Sequence, residues 1–121
     1  MIELAEKLRP VLSVRIFGEE KCFGPGVARL LRGVEEYRSL RGAAKAMGMA
    51  YSKAWTITKN AENNLGFPLL RRQTGGKNGG GAALTPEAER LLAAYDGYCQ
   101  KLRAFADAEF EADFSFLQGG E

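Results

Sequence analysis

Ser39-Leu40-Arg41-Gly42-Ala43-Ala44-Lys45-Ala46-Met47-Gly48-Met49-Ala50-Tyr51-Ser52-Lys53-Ala54-Trp55 holds two short helical patterns hinged on one glycine. Ser39 suits a helix cap, because its side-chain oxygen can accept from an N–H that the first turn leaves without a partner. The helix it opens runs from about Leu40 to Met47, with Leu40, Ala43, Ala44 and Met47 facing inward. Gly48 follows where a helix end needs a left-handed residue, and Met49 is expected to point back into the core. The next helix spans Ala50 to Asn64, ends at Leu65-Gly66, and cannot continue through Pro68. Small residues at 43, 44 and 54 allow the two helices to approach closely. Such a pair is a helix-turn-helix, whose second helix can enter the major groove of DNA.

Upstream, Leu12 to Phe17 alternates apolar and polar, the period of a half-buried strand that Gly18 ends. Cys22 and Phe23 fall in a short loop. Pro25 starts a helix to about Arg38, with one apolar stripe at Val27, Leu30, Leu31, Val34 and Tyr37. Downstream, Leu69-Leu70-Arg71-Arg72 and Ala82-Ala83-Leu84 are strand candidates. Between them lies a glycine-rich tip, Thr74-Gly75-Gly76-Lys77-Asn78-Gly79-Gly80-Gly81, so together they make a hairpin wing. Thr85-Pro86-Glu87 opens a long last helix, to about Phe110. Leu91, Tyr95, Tyr98, Leu102 and Phe105 step by four and three, the seam of paired helices, flanked by Ala88, Leu92, Cys99 and Ala106. The expected fold is mainly α (α+β): a winged helix-turn-helix with an N-terminal strand, a β-hairpin wing and a long C-terminal dimerisation helix. Residues 1–84 form the DNA-binding region, 85–112 the dimerisation helix of the same domain, and 113–121 a tail.

Charge separates along the chain. Its 121 residues carry a net charge of +2, yet the segment from Arg38 to Lys77 holds eight bases against the single acid Glu62. The flanks are neutral and acidic, so a polyanion partner is expected at the middle third. On the recognition helix, Tyr51, Ser52, Lys53, Thr56 and Lys59, with Asn60, offer donors and acceptors for base edges or phosphates. Arg71, Arg72 and Lys77 of the wing supply charge along the backbone of the duplex. Trp55 is read as half-buried or as an apolar contact to the nucleic acid.

Other chemistries fit less well. The chain has no histidine, which removes the commonest general base and transition-metal ligand. Cys22 and Cys99 match no zinc spacing and are expected to be reduced and structural; without a base, neither makes an activated nucleophile, and no enzyme or metal site is expected. Gly76-Lys77 is followed by Asn78 rather than Ser or Thr and lacks the phosphate-loop spacing. No apolar run reaches the roughly 18 residues of a membrane span and no signal pattern opens the chain, so a cytoplasmic protein is expected.

The run from Ser39 to Trp55 resembles the helix-turn-helix of the ModE family, the molybdate-responsive transcription regulators. The run Thr74-Gly75-Gly76-Lys77-Asn78-Gly79-Gly80-Gly81-Ala82-Ala83-Leu84-Thr85 resembles that family's wing. Asn78 stands where glycine is usual, and still tolerates a left-handed backbone. The similarity covers about residues 12–108, and a broader likeness to the LysR-type N-terminal domain also holds. The resemblance implies a winged helix, dimerised through the long last helix and bound to a two-fold related site on double-stranded DNA. In ModE a separate C-terminal region binds molybdate. The chain stops after the dimer helix, so no metal ligand is carried over, no cofactor is expected, and molybdate sensing is not. A small-molecule or oxyanion effector is expected to act through a separate protein. The alternative is a winged-helix protein-interaction adaptor without specific DNA binding, since fold alone does not settle function.

Overall fold

A computed structural model describes residues 7–73 and 81–118. The chain divides into two compact units, one from Ser13 to Ala94 and one made of the residues on either side.

The larger unit opens with a small hairpin, β1 (Ile16–Phe17) against β2 (Lys21–Phe23), antiparallel, with Ile16 opposite Phe23. The strand expected over Leu12 to Phe17 is thus confined to its last two residues, and both are exposed. The expected loop at Cys22 and Phe23 is instead the buried strand of the pair. Phe23 is fully buried, so the apolar side of the pair comes from β2 and not from the alternating upstream run. Asn64 Nδ2 donates to Lys21 O at 3.2 Å, tying β2 to the end of a later helix.

Helix α1 (Pro25–Tyr37) starts with proline in its first turn and buries Val27, Ala28, Leu30, Leu31 and Val34. Tyr37, expected on this stripe, is exposed. It is the last residue of the helix, and Arg38 then turns left-handed at φ 58°, its N–H donating to Val34 O at 2.7 Å. Helix α2 (Leu40–Ala46) is capped by Ser39, whose Oγ accepts from Gly42 N–H at 2.8 Å. It buries Leu40, Ala43 and Ala44, while Met47 and Met49 are half-buried. Gly48 takes φ 68° and makes the turn. Helix α3 (Tyr51–Leu65) buries Ala54, Thr58 and Ala61 and stops at Gly66, φ 88°.

The wing is β3 (Leu70–Gln73) against β4 (Gly81–Leu84), antiparallel, with Leu70 opposite Leu84 and Gln73 opposite Gly81. The glycine-rich stretch 74–80, with Lys77 and Asn78, lies outside the described residues. Ala82 N–H donates to Arg38 O at 3.0 Å, which holds the wing to the α1–α2 junction.

Thr85 caps the last helix, α4 (Pro86–Asp113), accepting from Ala88 N–H at 3.1 Å while donating to Pro68 O at 2.8 Å. The helix extends past the expected Phe110. The segment read as a tail continues with a single 3-10 turn, Ser115–Gln118, and a stack of Phe110 on Phe114 at 5.0 Å between centroids. Among the described residues no helix is long and apolar enough to cross a membrane.

Candidate nucleic-acid interface

The inward face of α3 is narrow. Ala54, Thr58 and Ala61 step by four and three, so the positions between them face outward. Thr58, the polar member, donates its hydroxyl to Ala54 O at 2.9 Å and is satisfied. Tyr51, Ser52, Lys53, Thr56, Lys59 and Asn60 are all exposed, as a DNA-reading helix face requires. Thr56 Oγ1 donates to Ser52 O at 3.0 Å, so its hydroxyl faces a partner as an acceptor.

Two aromatic rings stand at the outer edge of the helix, each beside a cation. Arg41, from α2, places its guanidinium 4.3 Å from the Tyr51 ring centroid. Lys59 Nζ lies 5.6 Å from that of Trp55. These contacts hold the charged ends near flat apolar faces instead of leaving them free in water. Trp55 is exposed, at 49%, rather than half-buried, so its ring is open to a partner.

A groove of about 360 Å³ runs between α2, α3 and the wing. Arg41, Lys59, Arg71 and Arg72 bring four cations to it, Tyr51 and Trp55 two aromatic faces, and Gly81 and Ala82 the wing's edge. Glu62 is its one acid. Arg71 Nε donates to Leu84 O at 3.3 Å across the hairpin, which fixes one edge of its guanidinium. The predicted residues Tyr51, Lys59, Arg71 and Arg72 therefore meet in one groove, while Ser52, Lys53 and Thr56 are exposed elsewhere on α3. A cationic, aromatic-edged groove beside an exposed helix face suits a phosphodiester backbone next to base edges. Sequence reasoning counted Arg41 and Glu62 as charges without giving either a place in the site. Nothing in their spacing marks them; only the crossing of α2 and α3 and the return of the wing do.

Of the proposed pairing seam on α4, Leu91 and Leu102 are half-buried and Tyr95 is buried within the single chain. Tyr98 and Phe105, seven residues apart, are 56% and 65% exposed. Cys22 and Cys99 are both free thiols.

The pattern of bacterial regulatory helix-turn-helix proteins of the lysR family matches residues 27–89, from α1 into the first turn of α4. This protein belongs to the lysR family of helix-turn-helix regulators. The matched span takes in α1, the helix-turn-helix and the wing, so the LysR-type unit and the groove coincide. The chain is 46% identical over 72 residues to the transcriptional regulator ModE of Haemophilus influenzae, covering 60% of this chain and 28% of that protein. It is 41% identical over 66 residues to the molybdenum-pterin-binding protein MopB of Rhodobacter capsulatus, 54% of this chain and 24% of that one. The DNA-binding transcriptional dual regulator ModE of Escherichia coli K12 matches at 35% over 79 residues, 64% and 30%. The LysR-type chain thus spans 24% to 30% of the length of these curated relatives. Both resemblances drawn from the sequence, to ModE and to LysR-type domains, agree with these matches.

Proposed function

We propose that this LysR-type protein is a sequence-specific, double-stranded-DNA-binding transcription regulator that acts as a homodimer. The observation that carries the reading is the groove: four cations converge beside an outward helix face rich in hydroxyls, within a segment that matches a regulator family. The N-terminal part of α3 enters the major groove, where Tyr51, Ser52, Lys53 and Thr56 meet base edges. Arg71 and Arg72, with Lys59 and Lys77, meet phosphates and supply much of the affinity. Two chains pair through the α4 face that carries Leu91, Tyr98, Leu102 and Phe105, with Tyr95 packed inside its own chain, setting two recognition helices roughly 34 Å apart on one face of the duplex. As a DNA-bound regulator the protein works in the cytoplasm, and a small-molecule or oxyanion signal reaches it through a separate protein.

A double variant, Lys53→Ala with Arg71→Ala, tests this in a DNA-shift titration across salt. The expected result is weaker binding and a salt slope shallower by about 1 per subunit, the share of the phosphate that Arg71 no longer neutralises. Unchanged affinity and slope would refute the assignment, and a wild type that ignores duplex DNA at low salt would favour the adaptor reading.

A further inference from the structure

Glu62 is the one carboxylate in a groove whose other charged residues are all cations, where a negative charge opposes the approach of a phosphate. Its side chain is only 12% exposed. Its two oxygens do separate things. Oε2 accepts from the backbone N–H of Leu69 at 2.7 Å and, at 3.4 Å, from that of Leu70. Oε1 lies 3.3 Å from Lys59 Nζ.

Leu69 is fully buried and precedes the β3–β4 ladder, so its N–H needs a partner from elsewhere. Glu62 reaches across the turn at Gly66–Pro68 to supply one, and a carboxylate holds an N–H more strongly than a neutral acceptor does. The carbonyl of Leu69 is held from the other side by Thr85 N–H at 3.0 Å. Arg71 and Arg72 follow directly, so their placement in the groove inherits the position of Leu69 and Leu70. The second oxygen draws Lys59 toward the groove's inner wall and offsets part of its charge.

We propose that Glu62 is a positioning residue for the DNA-facing groove. One oxygen clamps the base of the wing to the recognition helix, and the other moderates the pull of Lys59 on phosphate. The role in binding rests on the DNA reading above; the clamp itself does not.

Two substitutions in the full chain separate reach from charge. Glu62→Asp keeps the charge and withdraws the oxygens by one methylene. Glu62→Gln keeps the reach and removes the charge. Amide hydrogen exchange of the free protein, read at Leu69 and Leu70 with Leu31 as the reporter of global stability, follows the clamp without DNA. Duplex affinity against salt concentration follows its use. Glu62→Asp is expected to speed exchange at the two wing amides about tenfold relative to Leu31 and to weaken duplex binding. Glu62→Gln is expected to keep exchange within about threefold and to steepen the salt slope by a fraction of a unit, up to about one per subunit, because the Lys59 charge that meets phosphate is no longer partly offset. Wing-amide exchange unchanged in Glu62→Asp overturns the clamp. A salt slope unchanged in Glu62→Gln overturns the restraint on Lys59. If the wild type binds no duplex while Glu62→Asp still loosens the two amides, the clamp stands and the DNA reading falls.

Discussion

Gly33 and Gly48 are both glycines of necessity, for opposite reasons. A Cβ at Gly33 would lie 2.8 Å from Ala43 Cβ and 3.1 Å from Ala43 Cα, where α1 and α2 cross. At Gly48 a Cβ would meet nothing within 4 Å, but the backbone sits at φ 68°. Gly33→Ala must push two helices apart and should cost about 1–3 kcal/mol. Gly48→Ala incurs only the left-handed penalty, about 1–2 kcal/mol, and should leave the helix crossing intact. Urea unfolding of both, with the α1 and α2 amide shifts as a record of the crossing, checks the difference; shifts spread along both helices in Gly48→Ala would contradict it. Gly48 and Ser39 were legible in the sequence, because a turn and a cap each demand a residue type at a fixed offset. Gly33 was not, since its neighbour is ten residues away and only packing joins them. Arg38 was hidden in the same way: a non-glycine at φ 58° carries no local signal, and what holds it is the bond from Ala82 to its carbonyl.

At the scale of elements, periodicity located α1 to α4 to within a few residues, while the 3-10 turn Ser115–Gln118 falls in the segment read as a tail. Periodicity failed at the first hairpin. Leu12 to Phe17 alternates correctly for a strand, yet only Ile16 and Phe17 pair, and they pair with the segment holding Cys22 and Phe23. Alternation shows that a strand can form; it does not show which partner covers it. Tyr37 fits the stripe of α1 by spacing but falls at its last turn, where the chain reverses and solvent remains. The junction of wing and α4 shows how elements are joined. The buried hydroxyl of Thr85 bonds in both directions, to Pro68 O and from Ala88 N–H. Thr85→Val keeps the shape and loses both bonds, so it should destabilise the fold by about 1–3 kcal/mol in denaturant titration. Thr85→Ser, which keeps the hydroxyl, should recover most of that. Equal loss in the two variants would mean that the methyl, not the hydroxyl, holds the junction.

For the whole molecule, the consequential surfaces are the cationic groove and the aromatic stripe of Tyr98 and Phe105. Large apolar side chains this exposed on a regular helix face are candidates for burial against a partner. Replacing both with lysine should leave the helical content of the chain intact, because neither side chain is buried in the single subunit. The same variant should sediment as a monomer and lose most of its affinity for a two-part DNA site; a dimer that persists would move the interface elsewhere. The proposed function joins the two surfaces, since pairing is what duplicates the groove at a spacing the duplex can meet. Selection of bound fragments from a random duplex pool by the purified protein tests that union most directly. The expected product is an enriched inverted repeat whose half-site centres lie roughly 10 base pairs apart, or a multiple of that. A pool left unenriched, or enriched for a single unrepeated half-site, would contradict it.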